Sequence, residues 1–326
     1  MGASVAGVLL ILGVGIMLWM KPEENGVWEG EKTVEPGIGQ VVLTLGDGES
    51  MPLKRDTNRL IFGGTMLQVR NERGTLVYSK IKSKEASEKI VYNTLTVPVR
   101  ERFQLVLADG TKVFLNSGSE MRYPERFGKA RREVFLKGEA WFEVAKDSAR
   151  EFWVHAGAMD VKVLGTSFNV KAYERLETVA TTLVEGSVEV ACAGKSFQIV
   201  PGEQFVYDKN NRVMDVRMVD TESYVSWKDG YYKFRQTTLE EIMETLSVWY
   251  GLNVFYVNES AKQVEFTGKV KRYEDARMLL DKFEQTGDVV FDIKGNNVFI
   301  TIKQKKPFAR EWNSFLVKAR GMVWQS

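Results

Sequence analysis

The chain of 326 residues holds one cysteine, Cys192, and one histidine, His155. No intrachain disulfide can form, and no Cys/His zinc cluster can be assembled. A Ser-His-Asp triad would have to use His155, yet no G-x-S-x-G nucleophile motif is present. Both residues stand in strand-like runs and read as core or surface positions. Net charge is also scarce, since 45 Lys and Arg face 43 Asp and Glu and leave +2. That balance excludes an electrostatically driven nucleic-acid binder. The excess is local: from Lys303 onward six basic residues face one Glu, so the rest of the chain is about −3. With 44% apolar residues, the chain can build real cores and is long enough for two domains.

Charge is missing altogether from Met1 to Met20, MGASVAGVLLILGVGIMLWM. Twenty helical residues span about 30 Å, the thickness of the hydrocarbon core of a bilayer. The run is expected to be a single membrane anchor whose lipid-facing residues are Val5, Leu9, Leu10, Leu12, Ile16, Leu18 and Trp19. Trp19 and Lys21 then fall where an interfacial aromatic and a snorkelling base belong. A secretory signal peptide is the competing reading, but no Lys or Arg precedes the run and no clear A-x-A site follows. A core helix fits poorly, because the run is apolar on every side. Flanking charge alone leaves the orientation open.

Beyond a linker that starts at Lys21, β signals dominate. LVLADGTKVFLNSGS (Leu105–Ser119) hinges two apolar runs on Asp109-Gly110, the signature of a tight two-residue hairpin turn. Leu43–Leu53 repeats that pattern around Asp47-Gly48, and Asp229-Gly230 supplies a third copy. Gly138, Gly186 and Gly202 each follow an apolar stretch and precede a strand, where they would turn a corner or allow close backbone packing. The expected architecture is mainly β, a sandwich, barrel or solenoid-like stack of short strands.

Near Trp227 the pattern changes. Thr238-Leu239-Glu240-Glu241 is a capping box, and Leu239, Ile242, Met243, Leu246, Trp249 and Tyr250 recur at helical spacing up to Gly251. Strands are expected at Tyr231–Phe234, Leu252–Val257, Val264–Gly268, Val289–Ile293 and Val298–Ile302, with a second helix starting near Glu274. The order β-α-β-β-α-β-β describes a small α+β domain with two helices on one sheet.

GEAWFEVAKD (Gly138–Asp147), VLGTSFNVKAY (Val163–Tyr173), TTLVEGSVEV (Thr181–Val190) and PGEQ (Pro201–Gln204) closely resemble the FecR family of Bacteroidota. LVLADGTKVFLNSGSEMRYP (Leu105–Pro124) is similar to the start of that family's β domain. WKDGYYKF, LEEIMETLSVWYGLNVFY and VEFTGKV resemble its C-terminal domain, which is related to signalling modules of secretins and TonB-dependent transporters. The likeness runs from about Val97 to Lys303. It implies a membrane-anchored regulator with its C-terminal bulk in the periplasm of a bacterial inner membrane. Such a regulator relays substrate occupancy of an outer-membrane TonB-dependent transporter to an extracytoplasmic-function sigma factor. The implied segments are a transmembrane helix (1–20), a linker and first β segment (21–98), a FecR-like β domain (99–222), a signalling-like α+β domain (225–303) and a basic amphipathic tail (304–326).

The resemblance implies no enzyme, no cofactor and no metal, and neither a catalytic nor a metal-ligating residue is assigned. Its partner is the transporter's signalling domain, and the physical basis would be strand or helix-face recognition by the α+β domain, since an exposed sheet edge can accept another chain's strand. Candidate edges are Tyr231–Phe234 and Val298–Ile302, which nominate Tyr231, Tyr232, Phe234, Val298, Phe299 and Ile300 as contact residues. Family members carry a cytoplasmic helical segment ahead of the membrane helix that holds the sigma factor, and this sequence starts at the helix itself. Sigma contact is therefore expected only if such a segment exists. The tail, with Phe308, Trp312, Phe315, Leu316, Ala319 and Val323 near helical spacing, reads either as extra sequence packing on the last domain or as a surface-docking segment.

Two alternatives come from other classes. A periplasmic glycan-binding or glycan-processing protein would use Trp141 and Trp153 as platforms, with Glu139 and Glu143 as the nearest carboxylate pair. Those two glutamates are expected to face solvent. A structural envelope protein would assemble rings through its α+β domain.

Overall fold

The computed structural model describes residues 39–54, 59–63, 67–72, 75–80, 90–272 and 275–303. The expected anchor, with Val5, Leu9, Leu10, Leu12, Ile16, Leu18 and Trp19, lies outside the described residues, as does the tail 304–326. Among the described residues no helix is long and apolar enough to cross a membrane.

Short alternating strands build two sheets. In the first, the spatial order is Ser50–Leu53, Val41–Thr44, Tyr92–Thr96, Glu120–Pro124, Arg132–Glu143, Phe152–Ala156, Met159–Val163, Val188–Cys192 and Lys195–Ile199. The second runs Arg59–Gly63, Leu67–Glu72, Thr75–Lys80, Phe103–Val106, Lys112–Leu115, Arg132–Glu143, Ser167–Ala172, Thr178–Glu185, Glu203–Asp208 and Val213–Met218. Along Phe152–Ala156 and Met159–Val163 every second side chain is buried, as the period of a strand demands. The inward side chains of both sheets share one core, in which Phe142 meets Phe152 at 6.2 Å and Phe168 at 5.2 Å. A single core between two facing sheets is a sandwich, which decides among the expected β architectures. Each fully buried Phe or Leu there contributes about 1.5–3 kcal/mol through removal from water.

One strand belongs to both layers. Residues 132–137 of Arg132–Glu143 pair within the first sheet, and Gly138 onward pairs within the second. The crossing is made at Gly138, whose φ is +105°. A Cβ at this position would lie 2.4 Å from Ser119 Oγ and 2.6 Å from its Cα, so only glycine fits the corner.

The Asp-Gly turns differ from expectation by one residue. Leu107 N–H donates to Thr111 O at 2.8 Å, and Leu45 N–H donates to Glu49 O at the same distance. Both loops thus contain three residues, a tight turn closed by a left-handed glycine, Gly110 or Gly48. The third copy is not a hairpin. Asp229 ends the short helix Ser226–Asp229, and Gly230 is its left-handed cap before a strand.

The C-terminal module follows the expected element order. Tyr231–Thr238, helix Leu239–Tyr250, Asn253–Tyr256, Glu265–Lys271, helix Ala276–Glu284, Val289–Lys294 and Asn297–Ile302 succeed one another. Thr238 Oγ1 accepts from Glu241 N–H at 3.3 Å, and Gly251 at φ +69° ends the first helix. The strands form two sheets where one was expected. Tyr231–Thr238 pairs with Glu265–Lys271, whereas Asn253–Tyr256, Asn297–Ile302 and Val289–Lys294 form a separate three-stranded sheet. Both helices bury their apolar faces in one core with residues from these strands. Sandwich and module together make one compact unit.

Candidate functional site

The motif residues converge on a seam where the module roofs the outer face of the second sheet. Glu139 is the centre of it. The residue follows the Gly138 corner and points away from the sandwich core, so alternation alone places it in solvent. The module covers it instead, leaving it 7% exposed. Its Oε2 accepts from Asn116 Nδ2 at 2.7 Å and its Oε1 from Asn169 Nδ2 at 2.9 Å. Burial pushes its carboxyl above the ordinary range, and the Lys171 charge and the two amide donors oppose that rise.

Asn169 carries the connection onward, because its Oδ1 accepts from Trp227 Nε1 at 3.3 Å. The Trp227 carbonyl in turn accepts from Arg272 Nη1 at 2.8 Å, and Arg102 donates to the neighbouring Lys228 carbonyl. Arg272 lies over the Trp249 ring, and burial lowers its pKa to about 10. A second set of contacts caps the helix Leu239–Tyr250. Its last carbonyls lack partners within the helix. The sandwich supplies them: Arg100 N–H and Ser117 Oγ both donate to Trp249 O, each at 3.1 Å. Arg100 holds a left-handed φ of 71°, a costly conformation for a residue with a Cβ.

Apolar packing reinforces the polar seam. Trp141 belongs to a sandwich strand but is buried in the module's core beside Trp227. A cavity of about 250 Å³ remains between the layers, lined by Glu139, Asn169, Lys171, Tyr232 and Glu244 among others.

The nominated contact residues fare unevenly. Tyr232, Phe234, Val298 and Ile300 are buried, and only Tyr231 and Phe299 are partly exposed. Asn297–Ile302 is the central strand of its sheet, paired on both sides, so it offers no free edge. Among the described residues Tyr231–Thr238 has a strand partner on one side only, Glu265–Lys271. In the module, exposed apolar side chains also lie on the outer face of the three-stranded sheet. Phe255 is 47% and Val257 61% exposed there, and Phe255 stacks on Phe299 at 5.1 Å.

Of the two candidate sugar platforms only Trp141 is closed off, and Trp153 is partly exposed. Trp141 is covered by the module, and Trp153 has the His155 ring stacked at 6.2 Å and Lys162 Nζ at 5.6 Å. Glu143 accepts from Trp141 Nε1, and Glu139 is closed into the seam. His155 sits on the outer face of the first sheet, where its Nδ1 lies 2.7 Å from Asp160 Oδ1. Among the described residues no group of three His, Cys, Asp or Glu is placed to hold a metal ion.

Asn116, Ser117, Glu139, Asn169 and Trp227 thus belong to the seam, and each comes from one of the motifs that gave the sequence its family likeness. Residues 93–189 match the family described as FecR protein, and residues 231–300 match its C-terminal part, described as FecR, C-terminal. Together the two matches take in just over half of the chain. The chain belongs to the FecR family. Two crystal structures of a "putative anti-sigma factor" from Parabacteroides distasonis ATCC 8503, at 1.65 and 2.50 Å resolution, are similar to this FecR-family chain. Both have a TM-score of 0.59, with 28% and 27% identity. They cover 64% and 65% of this chain and 98% and 99% of their own. No curated protein matches it. FecR membership places the chain with regulators of the anti-sigma type rather than with an enzyme family.

Proposed function

We propose that this FecR-family chain is a relay across the bacterial inner membrane that works by protein contacts. Met1–Met20 anchors it, and the sandwich and module stand in the periplasm. The module receives the signalling domain of an outer-membrane TonB-dependent transporter, and the message ends at an extracytoplasmic-function sigma factor. The observation that carries this reading is the outer face of the three-stranded sheet. Phe255, Val257 and Val290 are exposed on it, and among the described residues Asn253–Tyr256 lies at its border with one side unpaired. An unpaired strand beside exposed apolar side chains can accept a strand from another chain, with backbone hydrogen bonds for affinity and apolar contacts for choice.

Of the residues nominated from sequence, Phe299 adjoins this surface through its stack on Phe255, and Tyr231 lies on the other sheet. The test is binding of the full chain, in detergent, to the signalling domain of the transporter encoded beside it. Phe255→Asp and Val257→Asp are expected to weaken binding by more than about tenfold. Val213→Asp, on the far strand of the sandwich, serves as the control. Unchanged affinity in both module variants would overturn the assignment of this face.

A further inference from the structure

We propose that the cavity in the seam is a binding site for a small molecule that carries a protonated amine. It goes beyond the relay, since it adds a chemical input to the joint between sandwich and module and uses none of the residues on the proposed docking face.

Two observations meet in the cavity. The first is a set of polar atoms with nothing to bond. Asn116 and Tyr232 are each 4% exposed and line the space. Among the described residues Asn116 Oδ1, Tyr232 Oη and the Oγ of Ser223, which also lines the space, have no hydrogen-bond partner, although all three atoms are buried. A buried polar atom left unsatisfied is costly, so a native cavity that keeps three such atoms implies an occupant. Asn116 Oδ1 can only accept. The Glu139 oxygens each receive a single donor and retain free lone pairs. The missing chemistry is therefore hydrogen-bond donors.

The second observation is charge. Glu139, Glu240, Glu241 and Glu244 line the cavity against Lys171, Arg217 and Lys233. Lys233 is engaged by Asp220 at 3.0 Å and by Glu222, and Glu240 by Lys262 at 3.5 Å, with all three partners outside that lining, which leaves Glu139, Glu241 and Glu244 against Lys171 and Arg217. The nearest cation to Glu244 is Lys171, at 4.0 Å. Burial raises the pKa of both Glu139 and Glu244 against the pull of Lys171, which serves both carboxylates, and of Arg272 on Glu139. Water would supply donors without charge, whereas an ammonium supplies both. At about 250 Å³ the space suits a molecule the size of an amino sugar or a short diamine.

The experiment is calorimetric titration of the full chain in detergent with glucosamine and with putrescine. Glucose and N-acetylglucosamine serve as uncharged controls. Saturable binding of at least one amine, with no binding of either control, is the expected result. Glu244→Gln, which keeps the shape of the side chain and removes its charge, should weaken it about tenfold or more. Tyr232→Phe, which keeps the ring and removes the hydroxyl, should also weaken it. Three outcomes would overturn the site: heats no larger than dilution for both amines, equal binding of the uncharged sugars, or undiminished binding in both variants. A crystal structure soaked with glucosamine that shows ordered water only in the cavity would do the same.

Discussion

Arg132 Nη1 lies 2.8 Å from Asp109 Oδ2, and the arginine side chain is fully buried. Its remaining donors go to the carbonyls of Ala145 and Arg150, and its guanidinium lies 5.4 Å from the Phe152 ring. Asp109 also accepts from Thr111 N–H and Thr111 Oγ1. The hairpin turn that looked like punctuation is the anion for a buried cation. Breaking a buried pair from one side leaves an uncompensated charge, at a cost of about 3–5 kcal/mol. Arg132→Met and Asp109→Asn should each destabilise on that scale in urea unfolding. The double variant should lose clearly less than the sum of the two.

Gly138 and Gly118 offer a matched comparison. Both have positive φ, but only Gly138 has Ser119 within 3 Å of a built Cβ, while nothing lies within 4 Å of one at Gly118. Gly118→Ala should cost only the left-handed penalty of about 1–2 kcal/mol. Gly138→Ala adds a backbone clash and should cost more than about 3 kcal/mol or abolish folding. Thermal unfolding of the two variants side by side distinguishes the causes.

The seam should respond to acid through Glu139. Its folded pKa is raised above the ordinary 4.5, so the folded state holds the proton more tightly than the unfolded chain does. This group therefore destabilises the fold most above its folded pKa. The penalty shrinks as pH falls through that value, and it is gone below about 4.5. Asp208 and Asp220 act in the opposite sense, since hydrogen bonds lower their pKa and stability from them is lost at still lower pH. Unfolding measured in small pH steps should show Glu139→Gln with a flatter profile above about pH 4.5 than the parent. An unchanged slope would remove Glu139 as the source.

Asn169 and Trp227 join sandwich to module through a hydrogen bond between their side chains. Trp227→Phe keeps most of the packing and frees Asn169 Oδ1, at a cost of about 1–3 kcal/mol. Amide exchange should then rise at residues 247–251 and 116–119, where the helix end rests on the sandwich. Strands at the centre of the sandwich, such as Val134–Leu136, should stay protected.

The module was legible in the sequence element by element, because its capping Thr238, its left-handed Gly251 and its helical spacing are local signals. The alternating runs likewise predicted strands. Chain-wide pairings were not legible. Nothing local says that Arg132–Glu143 serves two sheets, or that Asn297–Ile302 lies at the centre of its sheet rather than at an edge. Glu139 shows the same limit, since its neighbours Ala140 and Phe142 correctly turn it away from the core. Only the covering module makes that outward position a buried one. Arg132 gave no warning at all, because a charged residue at a strand start normally reads as solvent-facing. A signal did exist for the seam, in that Asn116, Asn169 and Trp227 are polar or amphipathic residues inside otherwise apolar motifs.

The strand Arg132–Glu143 gives the sandwich an unusual mechanical property. Two sheets held together by side chains alone can slide across each other at modest cost. Here one backbone is common to both, so relative shear at this point would require stretching covalent bonds or unzipping a strand from its neighbours. The same strand carries Glu139 and Trp141, two side chains of the seam. A torque applied to the module is therefore delivered to the one strand that both sheets share, where slip between them is most costly.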